Sequence, residues 1–113
     1  SGNILATNNL KIFNNTNITN NKILQANNGL NITSDNLTNN QTIKAGKKLN
    51  LDIANNLNNH TNNSELISLQ DLDIKANNLN NENGLIVSNK NSFINVDKTL
   101  NNKNAKYNQI ILM

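Results

Sequence analysis

The stretch LNITSDNLTNN, residues 30–40, decides how this chain folds, because its outline returns further along the sequence. It returns as LNLDIANNLNN from Leu49, as LDIKANNLNN from Leu72 and as INVDKTLNN from Ile94. Self-similarity at a period of roughly 20 to 50 residues is the signature of a stacked repeat architecture. The sequence therefore predicts one short structural unit that recurs along the chain.

Set in register, the repeats place their aliphatic residues in five columns, with a period of 19 to 24 residues from unit to unit. The first column contains Ile4, Leu24, Ile43, Ile67, Ile86 and Ile110. The second contains Ala6, Ala26, Ala45, Leu69, Ser88 and Leu112. The third and fourth are the pairs Leu10 and Ile12, Leu30 and Ile32, Leu49 and Leu51, Leu72 and Ile74, and Ile94 and Val96. The fifth contains Ile18, Leu37, Leu57, Leu79 and Leu100, and an Asn pair follows each of them.

Within each unit the apolar residues recur at every second position, which is the spacing of a β-strand with one buried face. Asn, Gly, Asp, Ser and Thr separate these runs, and Asn28-Gly29 and Asn83-Gly84 are direct turn signals. Each unit is predicted to contain about three short strands and three corners.

A unit of this size cannot bury its apolar residues alone, so successive units must stack, and each strand must pair with its counterpart one turn later. Parallel pairing in register places Leu over Leu inside and Asn over Asn at the corners, where stacked amides can donate and accept hydrogen bonds. The expected fold class is all-β, a parallel β-helix (β-solenoid) of about 5–6 turns with roughly 19–24 residues per turn and little or no helix.

Residues 1–113 are expected to form a single β-helix fragment, and Ser1-Gly2 is consistent with a cloning remnant. No leader of basic and then apolar residues opens the chain, so we expect mature sequence or an excised fragment. No apolar run reaches the roughly 20 residues of a membrane helix, so no membrane insertion is expected. The absence of cysteine leaves the redox compartment open.

Composition argues against a nucleic-acid partner. Asn fills 33 of the 113 positions, the net charge is only +3, and Arg is absent. The ten Lys residues are scattered and are not interleaved with aromatic residues, so the chain has neither a bidentate phosphate contact nor a stacking platform. A mildly basic, solvated surface is the better interpretation.

The pattern LxIxxxxLxNN…IxA, which runs from Ile4 to Leu112, resembles the haemagglutinin repeats of filamentous haemagglutinin-like exoproteins. The resemblance implies a right-handed parallel β-helix, a long surface fibre and export by two-partner secretion. It also implies a role as an adhesin or as the stalk of a contact-dependent growth-inhibition toxin. The family's amino-terminal secretion domain with its Asn-Pro signatures is not in this chain, so the part that resembles the family is repeat stalk.

Two other fold and function classes remain open. Residues 69–79 fit the leucine-rich-repeat consensus LxxLxLxxNxL, although Asp35 and Ala54 stand near the position of the consensus Asn in other units. A β-helical polysaccharide enzyme is the third reading, and it requires a groove with clustered acids or bases. Asp71, Asp73 and Asp52 are the acids that would cluster on an outward face, where oxygen ligands suit a hard cation.

Lone carboxylates on a solvated strand face are the preferred interpretation of these acids, since no Arg is present to stabilise an oxyanion. The serines and threonines lie without an oriented base, and no glycine-rich phosphate loop occurs. We therefore predict no enzyme: no catalytic residue, no metal site and no cofactor.

The segment from His60 to Glu65 is where the repeat unit is longest, and it is predicted to protrude from the solenoid. Protruding loops on rigid scaffolds often carry specific contacts. The candidate binding loop comprises His60, Asn62, Asn63 and Glu65. His60 is the only histidine and has no cysteine partner, so it is read as a loop residue rather than a metal ligand.

Seven Asn-x-Ser/Thr sequons are candidate glycosylation sites. They begin at Asn14, Asn17, Asn31, Asn36, Asn40, Asn59 and Asn62.

The expected function is that of a structural stalk or adhesin segment of a large secreted bacterial surface protein, which contributes to host- or target-cell binding and virulence. A receptor-binding segment of a contact-dependent inhibition toxin stalk is the alternative. The expected partners are a cell-surface receptor or glycan and the rest of a longer β-helix at both ends. Two exposed sheet edges also predict end-to-end self-association.

Overall fold

Apolar residues at every second position form β-strands throughout residues 2–105, the part of the chain that the computed structural model describes. Short and long strands alternate along it. The short strands are β1 (Ile4–Ala6), β3 (Ile23–Ala26), β5 (Thr42–Ala45), β7 (Glu65–Ser68) and β9 (Leu85–Ser88). The long strands are β2 (Leu10–Asn20), β4 (Gly29–Asn39), β6 (Lys48–Asn58), β8 (Asp71–Asn80) and β10 (Ser92–Asn101).

Each strand pairs in parallel with its counterparts in the adjacent turns, and the strands at the ends of each described sheet have one such neighbour. The short strands form one five-stranded sheet in the order β1-β3-β5-β7-β9, and the long strands form a second in the order β10-β8-β6-β4-β2. All eight strand pairings are parallel. The expected all-β parallel solenoid is confirmed, with about five turns and no helix among residues 2–105.

The corner predicted in the middle of each unit does not interrupt the long strand. A register shift stands there instead, between Asn14 and Asn17, Ser34 and Asn36, Asp52 and Asn56, and Val96 and Thr99. In β4 both Ser34 and Leu37 are buried although they are three residues apart, which a straight alternating strand does not allow. Each turn therefore has two hydrogen-bonded strands rather than three, and the inward face changes phase at the shift.

The inward side chains of both sheets form one hydrophobic core. Its fully buried large members are Leu30, Ile32, Leu37, Ile43, Leu49, Leu51, Ile53, Leu57, Leu66, Ile74, Leu79 and Ile86. Burial of each such side chain stabilises the fold by about 1.5–3 kcal/mol before conformational entropy is counted. The fifth column is continuous as predicted, because the pairings place Ile18, Leu37, Leu57, Leu79 and Leu100 on one another.

The first column differs from the prediction in the fourth turn. Leu66, not Ile67, stacks between Ile43 and Ile86. Leu66 is fully buried, whereas Ile67 faces outward and is half-buried. The two residues are adjacent and equally apolar, so the local pattern alone did not show which of them faces inward. We call these two alternatives the phases of the strand.

The second column decides between those phases. It continues from Ala45 through Ser68 to Ser88, and the predicted member Leu69 is instead 42% exposed. A column of alanines and serines is narrow, and an inserted leucine would overpack it. Ser68 fits because its hydroxyl donates to the carbonyl oxygen of Asp71 at 2.5 Å.

The third and fourth columns also shift in the last long strand. β10 places Ser92 on Leu72, Ile94 on Ile74 and Val96 on Ala76. Ile94 therefore belongs to the fourth column. The prediction from sequence, which placed it in the third column, is wrong. Ser92 is buried in the third column and shares a hydrogen bond with the Ser88 hydroxyl. The predicted members Ile110 and Leu112 lie outside the described residues.

The leucine-rich-repeat reading of residues 69–79 is wrong. Leu69, its first consensus leucine, is exposed, and its consensus Asn77 is only half-buried. A second β-sheet stands where that fold commonly has helices.

The first turn is an open end of the solenoid. Ile4 is 51% exposed, while Leu24 in the same column one turn later is 3% exposed. At the other end, Leu100 of β10 is 37% exposed. Phe13 in β2 and Phe93 in β10 face outward and are 66% and 50% exposed.

Candidate functional site

A ladder of five asparagine side chains runs through the described turns along the corner that follows each long strand. We call it the Asn ladder, and it consists of Asn20, Asn39, Asn59, Asn81 and Asn102. Each side-chain nitrogen donates to the side-chain oxygen of the next member, at 2.9, 2.9, 2.7 and 2.9 Å in chain order. The ladder therefore has a direction, with donors pointing towards the later turns.

Backbone carbonyls fix this direction. The amide nitrogen of Asn39 also donates to the carbonyl oxygens of Gln41 and Glu65, at 2.9 and 3.0 Å. The amide nitrogen of Asn59 donates to the carbonyl oxygen of Leu85 at 3.0 Å. A carbonyl oxygen only accepts, so the group that faces it must be the NH₂ of the amide.

The inner members of the Asn ladder are completely buried: Asn39, Asn59 and Asn81 have no exposed surface. Among residues 2–105, every buried side-chain nitrogen or oxygen has a hydrogen-bond partner. A buried amide without partners would cost about 1–3 kcal/mol, and the complete pairing of the ladder avoids that cost. The side-chain oxygen of each of these three members accepts its hydrogen bond from the member one turn earlier.

The predicted stacking of Asn over Asn at the corners is confirmed, but the sequence did not show which Asn of each pair is inside. It is the first Asn of the pair in the first two turns, Asn20 and Asn39, and the second afterwards, as at Asn59. Every ladder Asn stands two residues after a fifth-column residue, for example Asn59 after Leu57. That constant spacing was the available signal.

A second row of asparagines lies outside the core at the register shift of the long strands. We call it the outer Asn row, and it consists of Asn17, Asn36, Asn56 and Asn78. Asn36 donates to the side-chain oxygen of Asn17 at 2.8 Å, and Asn78 donates to that of Asn56 at 2.9 Å. The backbone N–H of Asn56 donates to Asn36 Oδ1 at 3.1 Å, so the row runs opposite to the Asn ladder.

The 60–64 loop, residues His60 to Ser64, is the longest connection among the described turns. Two residues separate Asn20 or Asn39 from the next short strand, three follow Asn81, and five follow Asn59. The extra residues leave His60, Asn62 and Asn63 exposed, as the sequence predicted for a protruding segment. Glu65 is not part of this loop, because it is the first residue of β7 and pairs with Thr42.

Hydrogen bonds hold the 60–64 loop in one shape. The Thr61 and Ser64 hydroxyls lie 2.7 Å apart, and the N–H of Thr61 donates to Ser64 Oγ at 3.1 Å. The buried Ser64 hydroxyl donates to the carbonyl oxygen of Asn39 at 2.6 Å, which ties the loop to the turn below. The loop is therefore preorganised and presents its exposed amides in a fixed position.

An open depression of about 290 Å³ lies beside the 60–64 loop. Its lining consists of Ile23, Gln41, Thr42, Asn62, Asn63 and Glu65. The carboxylate of Glu65 accepts a hydrogen bond from the Thr42 hydroxyl at 2.8 Å, which orients it at the wall. The site offers amides, one carboxylate and one aliphatic side chain, a set suited to polar, hydroxyl-rich or peptide ligands. Three of the four candidate loop residues line it, and His60 does not.

The acidic residues are not gathered into one site. Register places Asp71 against Lys48 and Asp52 against Lys75, so each faces a lysine one strand away. Asp73 stands against Asn50. Within the described part of the chain, no three His, Cys, Asp or Glu side chains come close enough to hold a metal ion.

Six of the seven sequon asparagines are exposed or half-buried in residues 2–105: Asn14, Asn17, Asn31, Asn36, Asn40 and Asn62. Asn59 differs because it is fully buried and its amide nitrogen donates to Asn81 and to the Leu85 carbonyl. A glycan on that nitrogen would require the loss of the Asn ladder at that turn. Asn59 is therefore out of reach of a glycosylating enzyme in the folded chain.

No protein-family model, curated protein or solved structure matches this chain. Residues 2–105 contain no helix with the length and hydropathy that crossing a bilayer would require.

Proposed function

We propose that this chain is a non-catalytic structural segment of a large secreted protein on a bacterial surface, where its solenoid extends the molecule and holds a binding or toxic tip away from the cell. The resemblance of its repeats to filamentous haemagglutinin-like exoproteins supports this class of protein. Adhesins and contact-dependent inhibition stalks both need such an extension. In this proposal the role of the chain is mechanical, because its repeated turns add length to the surface protein.

The continuous Asn ladder is the observation that carries this proposal. Its hydrogen bonds of 2.7–2.9 Å connect consecutive turns at a buried corner, next to an aliphatic core that repeats in the same way. Each added turn extends the rod by about 4.8 Å and closes the same bonds with the turn before it. Such a body resists separation of its turns, as a stalk must.

Localisation on intact cells tests the proposal. Antibodies raised against the folded chain should label intact cells of the bacterium that encodes it, with an antibody to a cytoplasmic protein as the negative control. Labelling that requires permeabilised cells would contradict a surface stalk.

The preorganised 60–64 loop and the depression beside it favour a second candidate function, recognition of a receptor or glycan by the stalk itself. The exposed Asn62 and Asn63, together with the oriented Glu65 carboxylate, are the groups that would make the contact. A rigid loop binds with a smaller loss of conformational entropy than a mobile one.

A loop exchange distinguishes the two candidates. Replacement of residues 60–64 by Glu-Asn-Gly, the turn that follows Asn81, should preserve the β-type circular dichroism spectrum because the solenoid already accommodates that turn. Recognition at the loop predicts that the exchanged protein no longer attaches to target cells, whereas Asn55→Ala, at an exposed position of β6, attaches normally. Attachment that survives the exchange would contradict recognition at the loop and leave the stalk proposal standing.

A further inference from the structure

Among residues 2–105, the edges of the long-strand sheet are β2 and β10, which have a hydrogen-bonded neighbour on one side only. An unpaired strand edge is a template for another strand. Both edges lie at the ends of the solenoid, and their inward residues are more exposed than the equivalents inside, as Ile18 and Leu100 are relative to the buried Leu57. Each edge would accept a strand whose inward residues have the same spacing as its own.

The spacing of inward residues shows that β2 and β10 fit each other. We compare the distance along the chain from the third inward residue of each long strand to its fifth-column residue. The third inward residues are Asn14, Ser34, Ile53, Ala76 and Val96. The distance is four residues in β2, three in β4, four in β6, three in β8 and four in β10. Neighbouring strands within the chain therefore always differ by one residue, and each of their pairings contains a register shift.

β2 and β10 have the same spacing throughout. Ser92 minus Leu10, Leu100 minus Ile18 and Asn102 minus Asn20 all give 82. If β2 of one copy pairs in parallel with β10 of another, all inward positions from Leu10 to Asn20 meet their counterparts with no shift. This pairing is more regular than any pairing of long strands within the chain.

The direction of the Asn ladder fixes which end meets which. Asn102 accepts from Asn81 through its side-chain oxygen, so its NH₂ group continues the ladder beyond the last turn. Asn20 donates to Asn39 through its side-chain nitrogen, so its oxygen lies at the other end of the ladder. Contact between two equal ends would place donor against donor or acceptor against acceptor, whereas head-to-tail contact completes the hydrogen bond.

The two outward phenylalanines meet at the same junction. Phe93 of β10 would stand opposite Lys11 of β2, two residues from Phe13 on the same outward face. That diagonal separation is within reach of two aromatic rings, and Lys11 would lie over the Phe93 ring as a cation–π partner. Two residues that are 66% and 50% exposed in one copy would thus cover each other between copies.

We propose that copies of this chain associate head to tail, with β10 of one copy pairing in parallel with β2 of the next and the Asn ladder continuing across the junction. The partner is a second copy of this chain, in one orientation and one register. A heterologous contact of this kind does not close on itself, so it generates filaments whose length depends on concentration. The inference does not depend on the proposed stalk function.

Disulfide trapping tests the register. Thr19→Cys on β2 and Asn101→Cys on β10 are matched positions, since their numbers also differ by 82. Within one copy they are four strands apart, about 19 Å, too far for a disulfide, whereas strands paired in register bring Cα atoms to about 5 Å. The chain has no other cysteine.

An equimolar mixture of the two single-cysteine proteins should give a Thr19→Cys/Asn101→Cys heterodimer under mild oxidation. Thr19→Cys with Thr99→Cys, two positions out of register, should cross-link at least about fivefold more slowly because the Cα atoms are too far apart. Dominant Thr19→Cys homodimers, or no heterodimer above the out-of-register control, would overturn the proposal.

A substitution in the Asn ladder tests whether its donor-to-acceptor direction determines the head-to-tail contact, and it leaves the hydrogen bonds within one copy in place. Asn102→Asp keeps the oxygen that accepts from Asn81 but removes the donor that would reach the next copy. Sedimentation velocity should show association weakened by about tenfold or more, because the junction would then bury a carboxylate against the Asn20 oxygen. Asn55→Asp, an exposed change of the same charge in β6, should associate like the unchanged protein. Equal association of both variants, or a protein that remains monomeric at every concentration, would refute the proposal.

Discussion

At the scale of single residues, asparagine performs three separate structural tasks in this chain. Asn59 belongs to the buried Asn ladder, Asn56 to the outer Asn row, and Asn83 adopts a left-handed backbone with φ of 64° beside Gly84. A short amide both donates and accepts, and it tolerates left-handed backbone better than other non-glycine residues. The high asparagine content thus follows from the geometry of a stacked corner.

We predict that Asn59→Ala lowers the free energy of unfolding by about 2–4 kcal/mol, because the buried Asn81 Oδ1 and the Leu85 carbonyl lose the donor that Asn59 supplies, and Asn39 loses one of its three acceptors. Asn58→Ala, at the neighbouring half-buried position, should change it by less than about 0.5 kcal/mol. Urea unfolding followed by circular dichroism measures both. Equal midpoints for the two variants would show that the ladder does not stabilise the fold.

We predict that Gly84→Ala destabilises the protein by about 2–3 kcal/mol through overpacking. A Cβ at residue 84 would lie 1.9 Å from the backbone oxygen of Asn59 and 2.5 Å from Asn81 Oδ1, so the ladder itself would have to move. Gly29→Ala is the matched control, since its Cβ would lie 3.3 Å from the Asn9 side-chain oxygen and 4.0 Å from the backbone oxygen of Lys48, both much longer distances than at Gly84. Thermal melting compares the two, and similar melting temperatures would contradict the close approach at Gly84.

At the scale of elements, the short strands show how stacking selects one phase of an ambiguous segment. β7 could bury either Leu66 and Ser68 or Ile67 and Leu69, since both pairs have the spacing of a strand face. The neighbouring strands place Ala45 and Ser88 at the second position, so only a small side chain fits between them. The small side chains of the adjacent turns, rather than the hydrophobicity of β7 itself, determined which residues of β7 face inward.

The phase of β7 predicts different costs for two adjacent substitutions. Leu66→Ala should reduce the free energy of unfolding by about 2–5 kcal/mol, because Leu66 is fully buried between Ile43 and Ile86 and its removal leaves a cavity. Ile67→Ala, on the outward face, should cost less than about 1 kcal/mol. Guanidinium unfolding of both variants measures the difference, and a larger cost at Ile67 would restore the register inferred from sequence.

At the scale of the whole molecule, the solenoid is nearly one-dimensional, because each turn contacts chiefly the turns before and after it. The contacts between long strands form a single series from β2 to β10. Stability in such a molecule is a sum of intrinsic and nearest-neighbour terms, so turns with one neighbour are the weakest. The exposure of Ile4 relative to Leu24 is the structural sign of this at the amino-terminal end.

Hydrogen exchange of the dilute, monomeric protein should therefore be uneven along the chain. Amides of β4, β6 and β8 should be the most protected, and those of β1 and β2 should exchange at least about tenfold faster because the terminal turn opens locally. At high concentration, head-to-tail pairing should raise the protection of the two junction strands, β2 and β10. Uniform protection of all turns in the dilute protein would contradict the nearest-neighbour picture.

The sequence by itself determined the strand content, the parallel stacking, the fifth column and the placement of asparagine at the corners. These follow from a pattern that is local and repeated: apolar residues such as Leu30 and Ile32 at spacing two, then Leu37 and an Asn pair. A residue pattern of period two is the pattern of a strand with one buried face, and a short repeat of that pattern buries its apolar side chains by stacking on the next unit. The 60–64 loop was also visible, as a lengthened unit.

Only the tertiary structure decided which member of an ambiguous set goes inside. Two examples are the burial of Leu66 rather than Ile67 in β7 and the place of Ile94 on Ile74, and both depend on the side chains that the adjacent turn places at the same position. The depression beside the 60–64 loop is likewise built from residues of three turns, such as Ile23, Thr42 and Glu65. These features arise from contacts between residues some 20 positions apart, about which a pattern of nearest neighbours carries no information.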